Sequence, residues 1–494
     1  MFLIRRNNII ELLDTMLQML KELFKTSNIE QNILECMRAI NTIKCLLEKE
    51  EIILPDTTLQ LTNISNLFLE FIEETIVVNE ETIQNLIGHI DSLKIAFIKE
   101  IHIQLNILFL PYKAAMWDSL ASIYEAAMKD KDCVAKVVPV PYFELEQNAE
   151  IPEYEGDLFP EDLPVIHYNS YNFEAELPDI IFVHNIYDQY NKVTRVHEFF
   201  FTKNLKKYTN MLVYVPYHIS EPYKSNGEGI RAAYFLPGIK YVDKVVLPGK
   251  FIQEEALRDG IPCNKLVTMG SPKFDSMIKS LANEIEFPKE WRKQFEGKKV
   301  ILLTTSCTFF CNGKFSNMDI FNQLLDIPRY LEDIVLLWRP HPLTIQCTKK
   351  YRPDVVENIK IIYQRFRTGK KDCPWWENFI IDESSDYFPA LKAADMLITD
   401  GGSLMQSYLL TEKSIMLLGV KDGISEKFLL PADAFYYFYD KDLPWYKLLK
   451  KFVKGYDPLK DKRKNLALNV YENVDGSCGE KIYHEIKMCV LDKK

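Results

Sequence analysis

Residues 379–418 read FIIDESSDYFPALKAADMLITDGGSLMQSYLLTEKSIMLL, and this stretch decides the fold. A short apolar strand, Phe379 to Ile381, runs into the acidic, hydroxyl-rich turn Asp382-Glu383-Ser384-Ser385-Asp386. A short helix follows with Leu391 and Ala394 at helical spacing, and Pro389 is tolerable because it lies in the opening turn. Next come the apolar strand Met396 to Ile398, the turn Thr399-Asp400-Gly401-Gly402-Ser403, a second helix, and a third buried strand from Ile415 to Leu418. Strand, helix, strand, helix, strand with connections this short is parallel-sheet architecture. Continuous apolar strands fit a sheet covered on both faces.

The turn Asp400-Gly401-Gly402-Ser403 stands at the carboxyl end of one strand and the amino end of a helix. Free backbone N–H groups and the helix dipole favour an anion there. Two glycines let a phosphate approach the backbone, and Ser403 adds a hydroxyl donor. A helix N-cap that happens to use Gly and Ser is the alternative, and four residues do not separate the two.

Upstream, Val300 to Thr304 and Ile334 to Trp338 are further strands of the same sheet. The second ends in Arg339-Pro340-His341-Pro342, where two prolines stiffen the turn and reduce the entropy lost in aiming His341. An Arg beside a His at a strand's carboxyl end suits a phosphate or diphosphate, the Arg as a forked donor and the His as a donor or proton source. A turn with a solvated Arg is the plainer reading.

A polar, linker-like stretch around Asn283 to Lys299 precedes this set. Before it lies another α/β series, with strands at Asn106 to Leu110, Val134 to Val138, Ile180 to Val183, Met211 to Val215, Lys244 to Leu247 and Leu266 to Met269. Met269 to Asp275 reads as a strand end leading into a loop. Residues 1–103 are helical throughout: Ile9, Leu13, Met16, Leu17, Leu20 and Phe24 recur at helical spacing, Ser27 and Glu30 form a capping box, and Asn79 can cap a fourth helix. The expected fold is therefore α/β and GT-B-like, two tandem Rossmann-like domains after an all-helical region. The expected limits are 1–103 for the helices, 104–270 for an acceptor domain and 271–494 for a nucleotide-binding domain. The helices are expected to serve assembly, through homo-oligomers.

The 494 residues are too many for one core, and 47% hydrophobic with 26% charged residues is ordinary for a globular protein. A net charge of −10 argues against nucleic acid as a partner. The ten cysteines are scattered, and Cys307 with Cys311 has no matching His or Cys cluster for a zinc site. No Asp-x-Asp stands at a strand end, since Asp130-Lys131-Asp132 follows a helix, so no metal site is expected. No secretory leader or membrane span is read, and the expected location is the cytoplasm, at most the inner face of the cell membrane.

Arg339-Pro340-His341-Pro342, Asp382-Glu383-Ser384-Ser385-Asp386-Tyr387 and Ala394-Asp395-Met396-Leu397-Ile398-Thr399-Asp400-Gly401-Gly402-Ser403 resemble the CDP-glycerol glycerophosphotransferases, the teichoic-acid glycerophosphate primases and polymerases of Gram-positive bacteria. Gly270-Ser271-Pro272-Lys273-Phe274-Asp275 is similar to that family's Gly-x-Pro-Arg-x-Asp motif, and Asp475-Gly476-Ser477-Cys478-Gly479-Glu480 to its C-terminal signature. The resemblance is good over about residues 265–485, weaker over 104–264 and absent before. It implies a GT-B fold with CDP-glycerol on the C-terminal domain, attack by an acceptor hydroxyl on the phosphate bearing glycerol, and CMP as leaving group. The donor is a substrate, and no cofactor is implied. Carried over, His341 would contact the diphosphate with Ser403 and the Gly401-Gly402 amides beside it, Asp382 to Ser385, with Ser384 and Ser385 as contacts, would lie at the nucleotide, and Arg339, Asp400 and Lys273 would be further substrate-binding residues. The acceptor would be a polymer or a lipid-linked molecule, which brings the membrane surface into reach.

One motif departs. The family's Trp-His-Gly turn carries a candidate base, whereas Val215-Pro216-Tyr217-His218-Ile219-Ser220 has no Gly after the His. His218 is the candidate base, with His197 and His184 as substitutes. Asp188, Tyr190 and Asn191 are acceptor contacts or loop scaffolding. A GT-B glycosyltransferase or sugar-nucleotide epimerase, and a non-catalytic GT-B scaffold, are the alternative functions.

Overall fold

The computed structural model describes residues 1–494 apart from 26–27, 50, 147–148, 225–230, 232, 285, 312–316, 369–376, 420, 422–427 and 493–494. Ser27, and with it the expected capping box, lies outside the described residues. The chain divides into two compact units.

The first unit comprises Met1–Ile107 with Asp130–Val134 and Phe173–Asp179. Its helices are α1 (Leu3–Lys21), α2 (Ile29–Lys49), α3 (Pro55–Ile72) and α4 (Glu80–Glu100). Apolar residues three and four apart put one stripe of each helix inward, and Leu13, Cys36, Ile64, Phe68, Leu86, Ile90 and Phe97 share one buried core. Asn79 caps α4 as expected, but its partner is Thr82: the Asn79 side chain accepts from the Thr82 N–H at 2.9 Å, and Thr82 Oγ1 accepts from the Asn79 N–H at 3.0 Å. Glu100, at the end of α4, accepts the Asp56 and Thr57 N–H groups, each at 2.9 Å, and so caps α3. No helix among the described residues is long and apolar enough to cross a membrane.

The second unit comprises Leu108–Lys129, Ala135–Asn172 and Ile180–Lys494. Numbered along the whole chain, the strands are β1 (Leu105–Leu110) and β2 (Cys133–Val137), each of which begins in the first unit, then β3 (Tyr142–Leu145), β4 (Glu150–Glu153), β5 (Ile180–Val183), β6 (Thr194–Val196), β7 (Met211–Tyr214), β8 (Lys244–Leu247) and β9 (Leu266–Thr268). They continue with β10 (Lys299–Thr305), β11 (Ile334–Pro340), β12 (Phe379–Ile381), β13 (Met396–Thr399), β14 (Ser414–Leu417) and β15 (Tyr436–Tyr437). Among the described residues, one sheet of six strands runs β2-β1-β5-β7-β8-β9 and another runs β12-β11-β10-β13-β14-β15. The second pairs in parallel throughout, in the third-second-first-fourth-fifth-sixth order of a doubly wound Rossmann sheet. The fold is α/β and GT-B-like, two Rossmann-like sheets in a chain that begins with helices.

Two sequence expectations need correction. Met269 to Asp275 does not end in a loop: the helix Pro272–Ala282 opens there, with Pro272 in its first turn, where a missing N–H costs nothing. The polar stretch before β10 is not mere linker, because it holds the helix Lys289–Phe295 with Trp291 buried. A small antiparallel sheet, β4-β3-β6, was not foreseen.

The chain's end returns to the first sheet's side of this unit. The last helix, Cys478–Leu491, packs on the helix Ala121–Lys129. Asp275 caps it, accepting the Cys478 N–H at 3.1 Å and the Gly479 N–H at 2.7 Å. Gly270 has φ +95, and a Cβ there would collide with the Glu472 carbonyl oxygen. The two glycine-containing segments that the sequence sets some 200 residues apart thus meet.

Candidate functional site

In an open α/β sheet, ligands bind beyond the carboxyl ends of the strands, where the strand order reverses. In the second sheet that point lies between β10 and β13. Ser306, just past β10, donates its N–H to Asp400 at 2.8 Å and its hydroxyl at 2.5 Å. Thr304 and Thr399, paired in register, share a hydrogen bond of 2.9 Å between their hydroxyls. Asp400 is therefore the clamp between two strand ends.

Gly401 and Gly402 have φ of +120 and +97, conformations that favour glycine. The cradle they form is occupied from within the chain. The Gly402 N–H donates to Glu221 Oε1 at 2.6 Å, and the Tyr223 hydroxyl donates to Glu221 Oε2 at 2.6 Å. A Cβ on Gly401 would stand 2.6 Å from the same Glu221 oxygen. The amide expected to wait for a phosphate already serves a carboxylate, which is the chemistry an anion site selects. Ser403 opens a helix of only six residues, Ser403–Tyr408.

Arg339 is not the free phosphate donor expected from its motif. It is 7% exposed and forms an ion pair with Asp382, itself 3% exposed. One terminal nitrogen also donates to the Asp386 carbonyl at 3.2 Å, and the other to the Ser384 carbonyl at 2.7 Å. The register explains it. Trp338 lies opposite Ile381, so Arg339 and Asp382 leave their strands side by side, and a buried guanidinium requires an anion. Ser384 is drawn into the same turn, its hydroxyl donating to Asp382 at 2.6 Å, while Ser385 is exposed.

His341 keeps an exposed face. Its Nδ1 accepts the Leu343 N–H at 3.0 Å, so in the neutral ring the proton sits on Nε2. Its backbone N–H donates to the Thr305 carbonyl at 3.2 Å, which ties the turn to β10. Crowding by the surrounding protein, and then the charge of Lys113, lower its pKa to about 4. The proline-flanked turn therefore presents a neutral Nε2–H donor.

Lys113 follows β1 and is held by Tyr142, whose hydroxyl accepts at 2.9 Å, and by Glu155 at 3.5 Å. The reach of Glu221, past β7, to Gly402, past β13, brings the carboxyl ends of the two sheets together.

His218, past β7, is half-buried beside Tyr217. Burial, then the charge of Lys273, lower its pKa to about 4. His184 is different, because both ring nitrogens are used. Nε2 accepts the Tyr112 N–H at 3.0 Å, and Nδ1 lies 3.1 Å from Ser119 Oγ, whose own proton goes to the Met116 carbonyl. This ring stitches β1 to β5 at the first sheet's reversal point and has no site left for a substrate proton. His197 caps the short turn Glu198–Phe200, accepting the Phe199 N–H at 3.3 Å.

The loop after β5 divides similarly. Asp188 accepts the Thr202 N–H at 3.0 Å and hydroxyl at 2.6 Å, and Asn191 accepts the Val193 and Thr194 N–H groups at 3.0 and 3.2 Å. Both are scaffolding, whereas Tyr190 is 59% exposed.

Lys273 is likewise not an open substrate contact. It is 4% exposed, and its ammonium lies 2.5 Å from Asp118. The Tyr387 hydroxyl donates to the same carboxylate, and the ammonium lies 5.1 Å from the Tyr387 ring centre. This buried triad joins the helix after β9, the turn after β1 and the acidic turn after β12. Among the described residues, no group of three or more His, Cys, Asp or Glu side chains is placed to hold a metal ion.

Glu221, Asp118, Ser306 and Lys113 are the site-shaping residues that sequence reasoning missed. Lys113 and Ser306 carried a visible signal, each standing just past a predicted strand end.

No protein-family model and no curated protein matches this chain. Solved structures are similar in fold. A wall teichoic acid polymerase, TagF, is 15% identical, with 87% of this chain and 98% of that one covered and a TM-score of 0.46. S. aureus MnaA, solved with UDP, is 13% identical over 78% and 97%, at 0.48. The UDP-GlcNAc 2-epimerase of Methanocaldococcus jannaschii, in complex with UDP-GlcNAc and UDP, is 14% identical over 78% and 99%, at 0.47. These likenesses concern the fold alone.

Proposed function

We propose that the protein transfers glycerol phosphate, or a related polyol phosphate, from a CDP-linked donor to an acceptor hydroxyl, releasing CMP, in the synthesis of a surface glycopolymer. The second Rossmann-like domain takes the donor and the first takes the acceptor. The observation that carries the reading is an imidazole just past a strand end in each of the two sheets, His341 after β11 and His218 after β7, each with its pKa lowered to about 4. His341 offers an N–H donor to charge on the diphosphate, and His218 is a neutral ring able to take the acceptor's proton. Phosphoryl transfer asks little more of a protein than positioning and charge stabilisation. Glu221 on the glycine turn supports the same reading, since a carboxylate there marks the place of an anion.

Calorimetric titration with CDP, CMP, UDP and UMP, followed by measurement of CMP released from CDP-glycerol, tests the proposal. Preference for the cytidine nucleotides together with CMP release is the expected outcome. Preference for UDP sinks it in favour of a sugar-nucleotide enzyme. A second reading, a scaffold without turnover, is favoured by the internal pairing of Arg339 and Lys273. Nucleotide binding without CMP release would select it.

A further inference from the structure

Cys307 and Cys311 have no zinc cluster in the sequence, and the fold brings them a third cysteine instead. Cys307 stands just past β10, next to Ser306, and Cys311 closes the turn Phe309–Cys311. The helix Thr344–Tyr351, which opens after the His341 turn, packs on that turn and carries Cys347 to it. Because β11 lies beside β10, the two strand ends deliver their cysteines to one place. The Cys307 and Cys347 thiols are hydrogen-bonded to each other, and the Cys311 thiol to Thr348 on the same helix. None of the three is in a disulfide. Among the described residues no such group is placed to hold a metal ion, so the chemistry open to these thiols is their own.

Access and protonation divide the pair. Cys347 is 4% exposed, whereas Cys307 is half-buried and keeps a face to solvent. Their shared hydrogen bond, with Cys347 donating, lowers the Cys307 pKa from 9.0 to about 7 against the opposing effects of burial and Asp400. The same bond, and then burial, push the Cys347 thiol up. At neutral pH Cys307 therefore has a large thiolate fraction while Cys347 keeps its proton, the division between an attacking and a resolving thiol.

We propose that Cys307 and Cys347 form a reversible thiol–disulfide switch on the clamp between the β10 and β13 ends, closed by a peroxide. With hydrogen peroxide, the Cys307 thiolate attacks one oxygen, the O–O bond breaks, and the departing hydroxide takes a proton to become water. Cys307 is left as a sulfenic acid. The Cys347 sulfur then attacks the Cys307 sulfur, the S–O bond breaks, and the Cys347 proton leaves with that hydroxide as a second water. Two thiols are oxidised to one disulfide and one peroxide is reduced to two waters, and a small dithiol reverses the bond by exchange. The consequence follows from strand order. The loop after β10 stands between β11, which leads to Cys347, and β13, which leads to Asp400. Tying Cys307 to the β11 side draws Ser306 off Asp400, to which it gives its N–H and its hydroxyl. The switch thus opens the clamp at the sheet's reversal point, whichever reaction the protein catalyses.

The test treats the full chain with hydrogen peroxide at neutral pH, blocks the remaining thiols and maps the cysteines by peptide mass spectrometry. A Cys307–Cys347 linked peptide, lost again on adding dithiothreitol, is expected. Cys307 should be consumed on the order of ten-fold faster than the exposed Cys263. Cys347→Ser should leave a Cys307 sulfenic acid that dimedone captures, and Cys307→Ser, at a half-buried position, should abolish the link in a folded chain. Hydrogen–deuterium exchange at the Ser306 amide should rise on oxidation and fall back on reduction. The proposal is overturned by the absence of the linked peptide, by a link from Cys307 to Cys311 instead, or by consumption of Cys307 no faster than of Cys263. Unchanged exchange at Ser306 once the disulfide has formed overturns the switch as well, by leaving the clamp untouched.

Discussion

His341 and Glu221 together set what the glycine turn can do. His341→Ala removes one preorganised donor and should lower kcat by roughly 10²-fold, with an unchanged melt because Pro340 and Pro342 still shape the turn. His89→Ala, in the helical unit, should turn over normally; equal losses in the two would remove His341 from the site. Glu221→Ala frees the Gly402 N–H and removes a negative charge from the place proposed for the phosphate. CDP affinity should rise by on the order of ten-fold, the scale of a hydrogen bond to a charged group. A fall in affinity on calorimetric titration would make Glu221 a ligand contact instead. Acid should act late on such a site. Burial with Lys273 holds His218 at about 4, against 6.5 for a free ring, so the acid limb of kcat/KM should lie near pH 4. Stability follows the same sign. Burial lowers His184 to about 3, so the unfolded chain takes up a proton that the native ring refuses. Its contribution is complete above about pH 6.5 and is lost as pH falls towards 3. His341 was legible from sequence because two prolines and a strand end single it out. Glu221 was not, since its partner Gly402 lies 181 residues away and nothing local announces the meeting.

Apart from β15, only two residues long, the strands of both large sheets were legible because parallel strands buried on both faces are continuously apolar. β4 escaped notice for the opposite reason: all four of its residues are exposed, and its partners are no longer. Register is the other thing a single sequence withholds. The pairing of β11 with β12 turns Arg339 from an apparent phosphate fork into the anchor of the acidic turn. Arg339→Ala should therefore destabilise the protein by ~3–5 kcal/mol, leaving Asp382 buried without its cation. The double variant Arg339→Met with Asp382→Leu should recover much of that loss. Urea denaturation of the three proteins decides between anchor and ligand contact. If Arg339→Ala unfolds like the parent yet binds CDP poorly, the guanidinium belongs to the substrate.

For the chain as a whole, the sequence places the first boundary at about residue 103, where helical spacing gives way to strand. The compact unit built on those helices does not stop there. It also holds Asp130–Val134 and Phe173–Asp179, segments drawn in by hydrogen bonding rather than by any periodicity. Asp179 shows how. Its carboxylate accepts the Ile4 N–H at 2.9 Å and the Asn106 N–H at 2.7 Å, and burial raises its pKa to about 6. Deleting residues 1–103 strips Ile4 from this carboxylate and uncovers the apolar side of the segments left behind, so the helices should not come away as a separable appendage. The truncated chain should melt lower than the full one and scatter light as larger particles, while a stable monomer with the parent's melting temperature would show that the helices are an independent module. The full chain needs the same light-scattering measurement, because an assembly role for the helices predicts a mass above one chain. If the full chain runs as a single copy, the helices serve the fold of their own unit and not association.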